Sequence, residues 1–351
     1  MARIVLADDG IEFDDLTARE RPLGGVESSV VFLVEELARR GHDVLVCNRC
    51  PRPGRRNGVE WRSIHGGDGT PFANVPHAAD LYIANRGDKL IGLVPNARRV
   101  AFWTHNPARY VLKPRYLWKL WRRRPTIVFI GDYHATTCPA WVPDGGRRVI
   151  PYGIPDLFRA ATPLPAPPAP RAVFTSNPLR SLDWLLDLWA TRIRPQVPGA
   201  ELHVFAGAAT YGAVGAAKQD LMGEVLSRAA AMQGLGVVVR GPVPKDRLVV
   251  EFRQARVMLY RGDLNETFCL AVGEAQASGV PAVVGDLGSV VERVADGATG
   301  FIARTDDAFV EAARRLLSDD ALWRRQHEAA LARQRAWGWP EAAVAFESLM
   351  S

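Results

Sequence analysis

Cysteine is scarce in this chain of 351 residues: Cys47, Cys50, Cys138 and Cys269 are all there are. Four thiols on that length agree with a reducing compartment rather than a disulfide-built secreted scaffold. Cys47 and Cys50 form one C-x-x-C, but no second pair supplies the other half of a zinc site, so no metal is assigned. Long apolar runs are missing as well. No stretch reaches the ~18 residues that a bilayer span needs. The run at residues 3–7 is too short for a secretion signal, and Asp8 and Asp9 follow it at once. The expectation is a cytoplasmic protein. Also absent is G-x-G-x-x-G after the first strand, which argues against a dinucleotide-binding dehydrogenase. There is no internal repeat beyond a general alternation of strand and helix.

What is present has the balance of a soluble globular protein, with 48% hydrophobic and 23% charged residues. The length exceeds one ordinary core and predicts two domains. A formal charge of +6 and a pI near 9.3 point to an acidic partner, whether anionic lipid, a phosphate-bearing substrate or nucleic acid.

Strands are expected at 3–7, 43–47, 81–84, 100–103 and 127–130, with a helix over 24–40 behind the pair Gly24 and Gly25. Glycine has no side chain to hold a ligand away from the backbone, and the same pair also serves as a plain helix cap. His105 stands just past the strand ending at Trp103. Residues 109–124 are unusual: Arg and Lys alternate with Tyr116, Leu117, Trp118, Leu120 and Trp121, a composition suited to a membrane interface. Packed on the sheet, the same aromatics would make an ordinary surface helix. Nucleic acid is not expected there, because no binding module accompanies the basic run. Five prolines between Pro163 and Pro170 predict a stiff linker over 159–171. Beyond it, strands at 172–174, 202–205, 237–240, 257–260 and 282–284 alternate with helices and predict a second parallel sheet.

The most informative stretch is 256–303. An apolar run, 257–260, leads into a polar loop with Asp263, Asn265 and Glu266, then a helix over 268–278 closed by Gly279, then another strand. In such a unit the loop and the first helical turn lie at the carboxyl end of the sheet, where α/β proteins bind ligands. The backbone N–H groups of Phe268, Cys269 and Leu270 would there face a phosphate. Glu266 and Glu274 frame that helix end, with seven residues between them.

Glu-x7-Glu, followed by Ala-Ser-Gly-Val-Pro and Asp-Gly-Ala-Thr-Gly-Phe, resembles the C-terminal half of the retaining glycosyltransferases of the GT-B fold, family four. The resemblance extends to 22–46, 147–158 and 172–207. It implies an α/β fold of two Rossmann-like domains whose parallel sheets face a central cleft. The first, acceptor-binding domain would span 1–158 with a helix at 341–351 crossing back; the second, donor-binding domain would span 172–340. It implies transfer of a sugar from a nucleotide-diphosphate sugar to a hydroxyl of a glycolipid, polysaccharide or small glycoside, with the nucleotide sugar as co-substrate and no cofactor required.

Carried over residue by residue, Glu266 lies against the donor sugar, Glu274 binds the ribose, and Arg180 holds the diphosphate. Lys245 stands near base and diphosphate, Val243 lies in the turn that holds the base, and His105 sits beside the sugar. Gly24 and Gly25 reach donor phosphate and acceptor, and Phe268, Cys269 and Leu270 provide the helix end. The sequence departs from the family pattern at Ser181, where a second cation is common; Lys245 or Arg261 would compensate. Two other functions fit the same fold, a nucleotide-sugar epimerase and a non-catalytic nucleotide-sugar binder.

Overall fold

The computed structural model describes residues 1–20, 23–207 and 218–351. Of the loop leading to the glycine pair, residues 21 and 22 lie outside that description. The chain divides into two units. Met1–Glu20, Gly25–Gly153 and Trp339–Ser351 form the first; Ile154–Gly338 makes the body of the second, and Gly24 is grouped with it.

In the first unit the strands are β1 (Arg3–Ala7), β2 (Asp43–Asn48), β3 (Gly54–Arg56), β4 (Val59–Ser63), β5 (Ala78–Asn85), β6 (Asn96–Trp103), β7 (Thr126–Phe129) and β8 (Arg147–Val149). They form one sheet in the order β3-β4-β2-β1-β5-β6-β7-β8, parallel except for the β3–β4 hairpin. Runs such as Ile4, Val5, Leu6 and Ala7 have no exposed surface, as strands covered on both faces require. The hairpin, not expected above, turns on Asn57 and Gly58 with φ of 50° and 79°, a pair suited to a two-residue turn. The helix Gly25–Arg39 buries Val30, Val31, Leu33, Val34 and Leu37. Trp339–Glu347 packs against it: Phe32 stacks on Trp339 at 6.1 Å, and Arg40 donates to both oxygens of Glu347 at 2.6 and 2.9 Å.

The second unit holds β9 (Arg171–Phe174), β10 (Glu201–Val204), β11 (Val237–Val239), β12 (Val257–Tyr260), β13 (Ala282–Gly285) and β14 (Gly300–Ala303). Among the described residues these make a six-stranded, all-parallel sheet in the order β11-β10-β9-β12-β13-β14. The order runs outward from β9 in one direction and from β12 in the other, so the topological switch point lies between those two strands. In the first unit it lies between β1 and β5.

The proline-rich stretch differs from the spacer expected over 159–171. The division falls ahead of it, and the stretch is strapped to the second unit. Pro168 O accepts from Arg256 Nε at 2.7 Å, Thr162 O from Arg253 Nη1 at 2.9 Å, and Leu164 N donates to His327 Nε2 at 2.9 Å. Prolines cannot donate into a ladder, but nothing prevents carbonyls of an extended proline-rich run from serving arginine side chains.

Candidate active site

Ligands of open α/β sheets lie outside the carboxyl ends of the strands at the switch point. In the second unit that place is bounded by the segments that follow β9 and β12. β12 is apolar and wholly buried up to Tyr260, and the chain then loops to Glu266. Glu266 is buried, yet both its carboxylate oxygens are served. Oε1 accepts from Arg180 Nη1 at 2.6 Å, and Oε2 accepts from the Tyr260 hydroxyl at 2.5 Å. Burial pushes the Glu266 carboxyl above its ordinary range; Arg180, Tyr260 and Cys269 hold it back. Tyr260 is itself pushed well up by burial and by the Glu266 charge, so its hydroxyl keeps its proton.

Arg180 is presented by a turn after β9. Leu179 N donates to Asn177 Oδ1 and Arg180 N to Asn177 O, each at 2.9 Å, and Ser181 adopts φ of 63° ahead of the helix Leu182–Leu188.

The second acid of the spacing also meets a cation. Glu274, buried in the helix Leu270–Ala277, accepts at Oε1 from Lys245, the first residue of the helix Lys245–Phe252. The Lys245 ammonium also lies 5.6 Å from the centre of the Phe158 ring. Val243 is half-buried in the turn that begins at Gly241. The helix starts at Leu270, two residues later than its spacing predicted, because Cys269 takes the left-handed conformation with φ of 61° and cannot continue a helical turn. Phe268 and Cys269 are buried, the Phe268 ring 4.2 Å from the Arg293 guanidinium. Burial raises the Cys269 thiol well above its usual range, which leaves it neutral. Arg261 instead lies over the Trp184 ring at 5.0 Å.

The remaining sequence candidates, His105 and Gly25, belong to the first unit, where Gly25 opens its helix. His105 is buried past β6, at the carboxyl end of the sheet. The Tyr152 hydroxyl donates to Nδ1 at 2.5 Å, while Nε2 donates to Asn85 Oδ1. Asn85 Nδ2 donates to Asp8 Oδ2 at 2.5 Å, and Arg86 bridges Asp8 at 3.2 Å and Glu27 at 2.9 Å. Burial, with the charges of Arg86 and His134, depresses the His105 pKa well below 6.5, and the ring is neutral at physiological pH. Burial raises Asp8 against the pull of Arg86.

Sequence reasoning passed over Tyr260, Asp8, Asn85, Arg86 and Tyr152. For the first four a signal was there: each is the final or next residue of an apolar strand. Cys47 and Cys50 are free and buried; burial pushes the Cys47 thiol up to about 12. Among the described residues no group of three or more His, Cys, Asp and Glu side chains could hold a metal ion.

Two Rossmann-like units, the second with its acid–base pairs at the switch point, define the chain as a GT-B fold protein. Sucrose-phosphate synthase from Thermosynechococcus elongatus superposes with a TM-score of 0.73 at 17% identity, over 99% of this chain and 97% of that one. HepE of Anabaena, solved in complex with UDP and glucose, gives 0.70 at 16% identity over 99% of both chains. Residues 169–319, which lie mostly in the second unit, match the family described as glycosyl transferases group 1. Among curated relatives, a D-inositol 3-phosphate glycosyltransferase of Streptomyces avermitilis is 37% identical over 126 residues, 35% of this chain and 27% of that protein. Another, from Nocardia farcinica, is 32% identical over 184 residues, 51% of this chain and 39% of its own length. The matched parts thus span well under half of those relatives.

Proposed function

We propose that the protein is a glycosyltransferase that moves a sugar from a nucleotide-diphosphate sugar to a hydroxyl acceptor with retained configuration. The observation that carries this reading is the pair of buried carboxylates, Glu266 with Arg180 and Glu274 with Lys245, at the switch-point end of a sheet within the matched family segment. UDP-sugar binding in the structural neighbour HepE agrees with it.

In this reading Glu274 accepts hydrogen bonds from the ribose diol, since a fixed carboxylate offers two acceptor oxygens. Glu266, oriented by Arg180 and Tyr260, takes hydroxyls of the sugar. A guanidinium has donors enough to hold Glu266 and a phosphate at once. Arg180 therefore stabilises the negative charge that grows on the diphosphate as the glycosidic bond breaks, a contribution strongest in the transition state. Lys245 and the backbone at Phe268, Cys269 and Leu270 add to that compensation, and no metal is required. Val243 lines the base site. Both ring nitrogens of His105 are engaged by Tyr152 and Asn85, so a role beside the sugar requires one of those partners to give way, while Gly24 and Gly25 serve phosphate and acceptor.

The acceptor is a glycolipid, polysaccharide or small glycoside, used at the cytoplasmic face of a membrane reached through 109–124. Trp118 and Trp121, 60% and 55% exposed and stacked at 5.2 Å, support that contact.

A product assay with radiolabelled nucleotide sugars tests the reading. Parent protein should turn over donor only with acceptor present and release a product of unchanged anomeric configuration, and Glu266→Gln should lose most of that activity. Donor converted to an isomer without acceptor would instead mark an epimerase, and an inactive parent that binds donor would mark a binder.

A further inference from the structure

At the other end of the first sheet, the amino ends of β6, β7 and β8, lies a recess of about 490 Å³. Its wall holds five arginines, Arg98, Arg99, Arg123, Arg124 and Arg148, together with the Thr126 side chain; no Asp or Glu lines it. Arg123 and Arg124 arrive at the end of the helix Pro114–Arg123, where the carbonyl pole favours cations. Arg123 is anchored, donating from Nη2 to Val94 O at 2.9 Å and from Nη1 to Pro95 O at 3.2 Å, and its buried Nε has no partner. Arg99 donates to Ser351 O at 3.0 Å and Arg148 to Arg147 O at 3.1 Å, while Arg98 reaches Asp80 only at 3.8 Å. The nearby Asp144 carboxylate is taken by Arg147 at 2.7 Å. Arg99 faces the Ser351 carboxylate; the other four like charges around the hollow repel each other unless an anion sits among them, since carbonyl contacts do not cancel charge.

We propose that this recess is a binding site for a ligand carrying adjacent phosphates, distinct from the donor site of the second unit. Guanidinium forks match phosphate oxygens in pairs, and five of them suit more than one phosphate group. No aromatic ring lines the wall, so there is no platform for a nucleobase, and the recognised chemistry is the phosphate itself. The ligand is either a soluble oligophosphate compound or the head group of a lipid with two phosphates.

Inorganic pyrophosphate, titrated calorimetrically into the full chain at low salt, tests the site. Arg180→Ala, which weakens phosphate binding in the second unit, should leave one pyrophosphate bound. Arg98→Ser with Arg148→Ser should weaken that binding about tenfold or more, as the loss of two charge-assisted contacts implies. A control with the same change of charge elsewhere, Arg55→Ser with Arg304→Ser, should change it less than about threefold. Unchanged affinity in the first double variant, or an equal loss in the control, overturns the proposal. Phosphatidylcholine vesicles with and without cardiolipin separate the sources. If the first double variant loses cardiolipin-dependent sedimentation along with pyrophosphate binding, the ligand is a head group; if it loses pyrophosphate binding alone, the ligand is soluble.

Discussion

At the scale of single residues, the buried carboxylate of Glu266 depends on two donors of different kinds, a guanidinium and a phenol. Removing the phenol by Tyr260→Phe leaves one oxygen of a buried acid short of a partner and takes away an interaction that lowers its pKa. The variant should lose about tenfold or more in kcat while nucleoside diphosphate affinity changes little. The acid limb of its pH–rate profile should move to higher pH; a limb that stays in place would show that Glu266 does not govern it.

Histidine burial gives a second residue-scale prediction. Burial depresses His134 to about 4, with Nδ1 accepting from Ile130 N at 3.2 Å. A histidine whose folded pKa lies below its unfolded value adds stability above pH ~6.5 that is lost as pH falls towards the folded value. Urea unfolding should therefore show the stability gap between parent and His134→Gln narrowing from pH 7 to pH 4, by up to about 3 kcal/mol. A constant gap would mean that His134 titrates alike in the folded and unfolded states. Glu266, Glu274, Arg180 and Lys245 could be read from spacing and motif because each lies in a local pattern. The surroundings of His105 could not: Asp8 and Asn85 come together through the adjacency of β1 and β5, and Tyr152 arrives from the segment after β8, which no local window contains.

Among the elements, apolar alternation located the inner strands of both sheets, because strands covered on both faces must be apolar throughout. Most edge and short elements escaped it, the all-valine β11 being an exception. β3 is largely exposed and charged, β4 buries only Val59 and Trp61 between charged residues, β8 carries Arg147 and Arg148, and β14 is only partly buried, so their apolar signal is weak; Asn57-Gly58 was the readable clue. The proline-rich run looked like a spacer because composition does not reveal which arginines its carbonyls will meet. In the helix Pro114–Arg123, Tyr116 and Leu120 turn inward while both tryptophans remain outside. Trp118→Ala with Trp121→Ala should abolish most sedimentation with anionic vesicles and leave transfer to a soluble acceptor intact. Unaltered sedimentation would remove membrane contact through this helix.

For the molecule as a whole, architecture outlasts sequence: superposition over 99% of the chain accompanies only 17% identity. Parallel sheets need covered faces and right-handed crossovers rather than particular side chains. The recognisable sequence is concentrated at 169–319, the stretch that holds the ion pairs of Arg180 with Glu266 and Lys245 with Glu274. A nucleoside diphosphate that binds there should raise the thermal midpoint of the protein, by an amount that grows with the logarithm of its concentration once this exceeds Kd. The central claim is that Glu274 and its partners hold the ribose and diphosphate of a donor. Calorimetric titration of the parent and Glu274→Ala with a panel of nucleoside diphosphates tests it most directly. The account predicts that the best-bound member binds the variant about tenfold or more weakly, as loss of hydrogen bonds to a charged acceptor implies; parent and variant binding it equally well would contradict it.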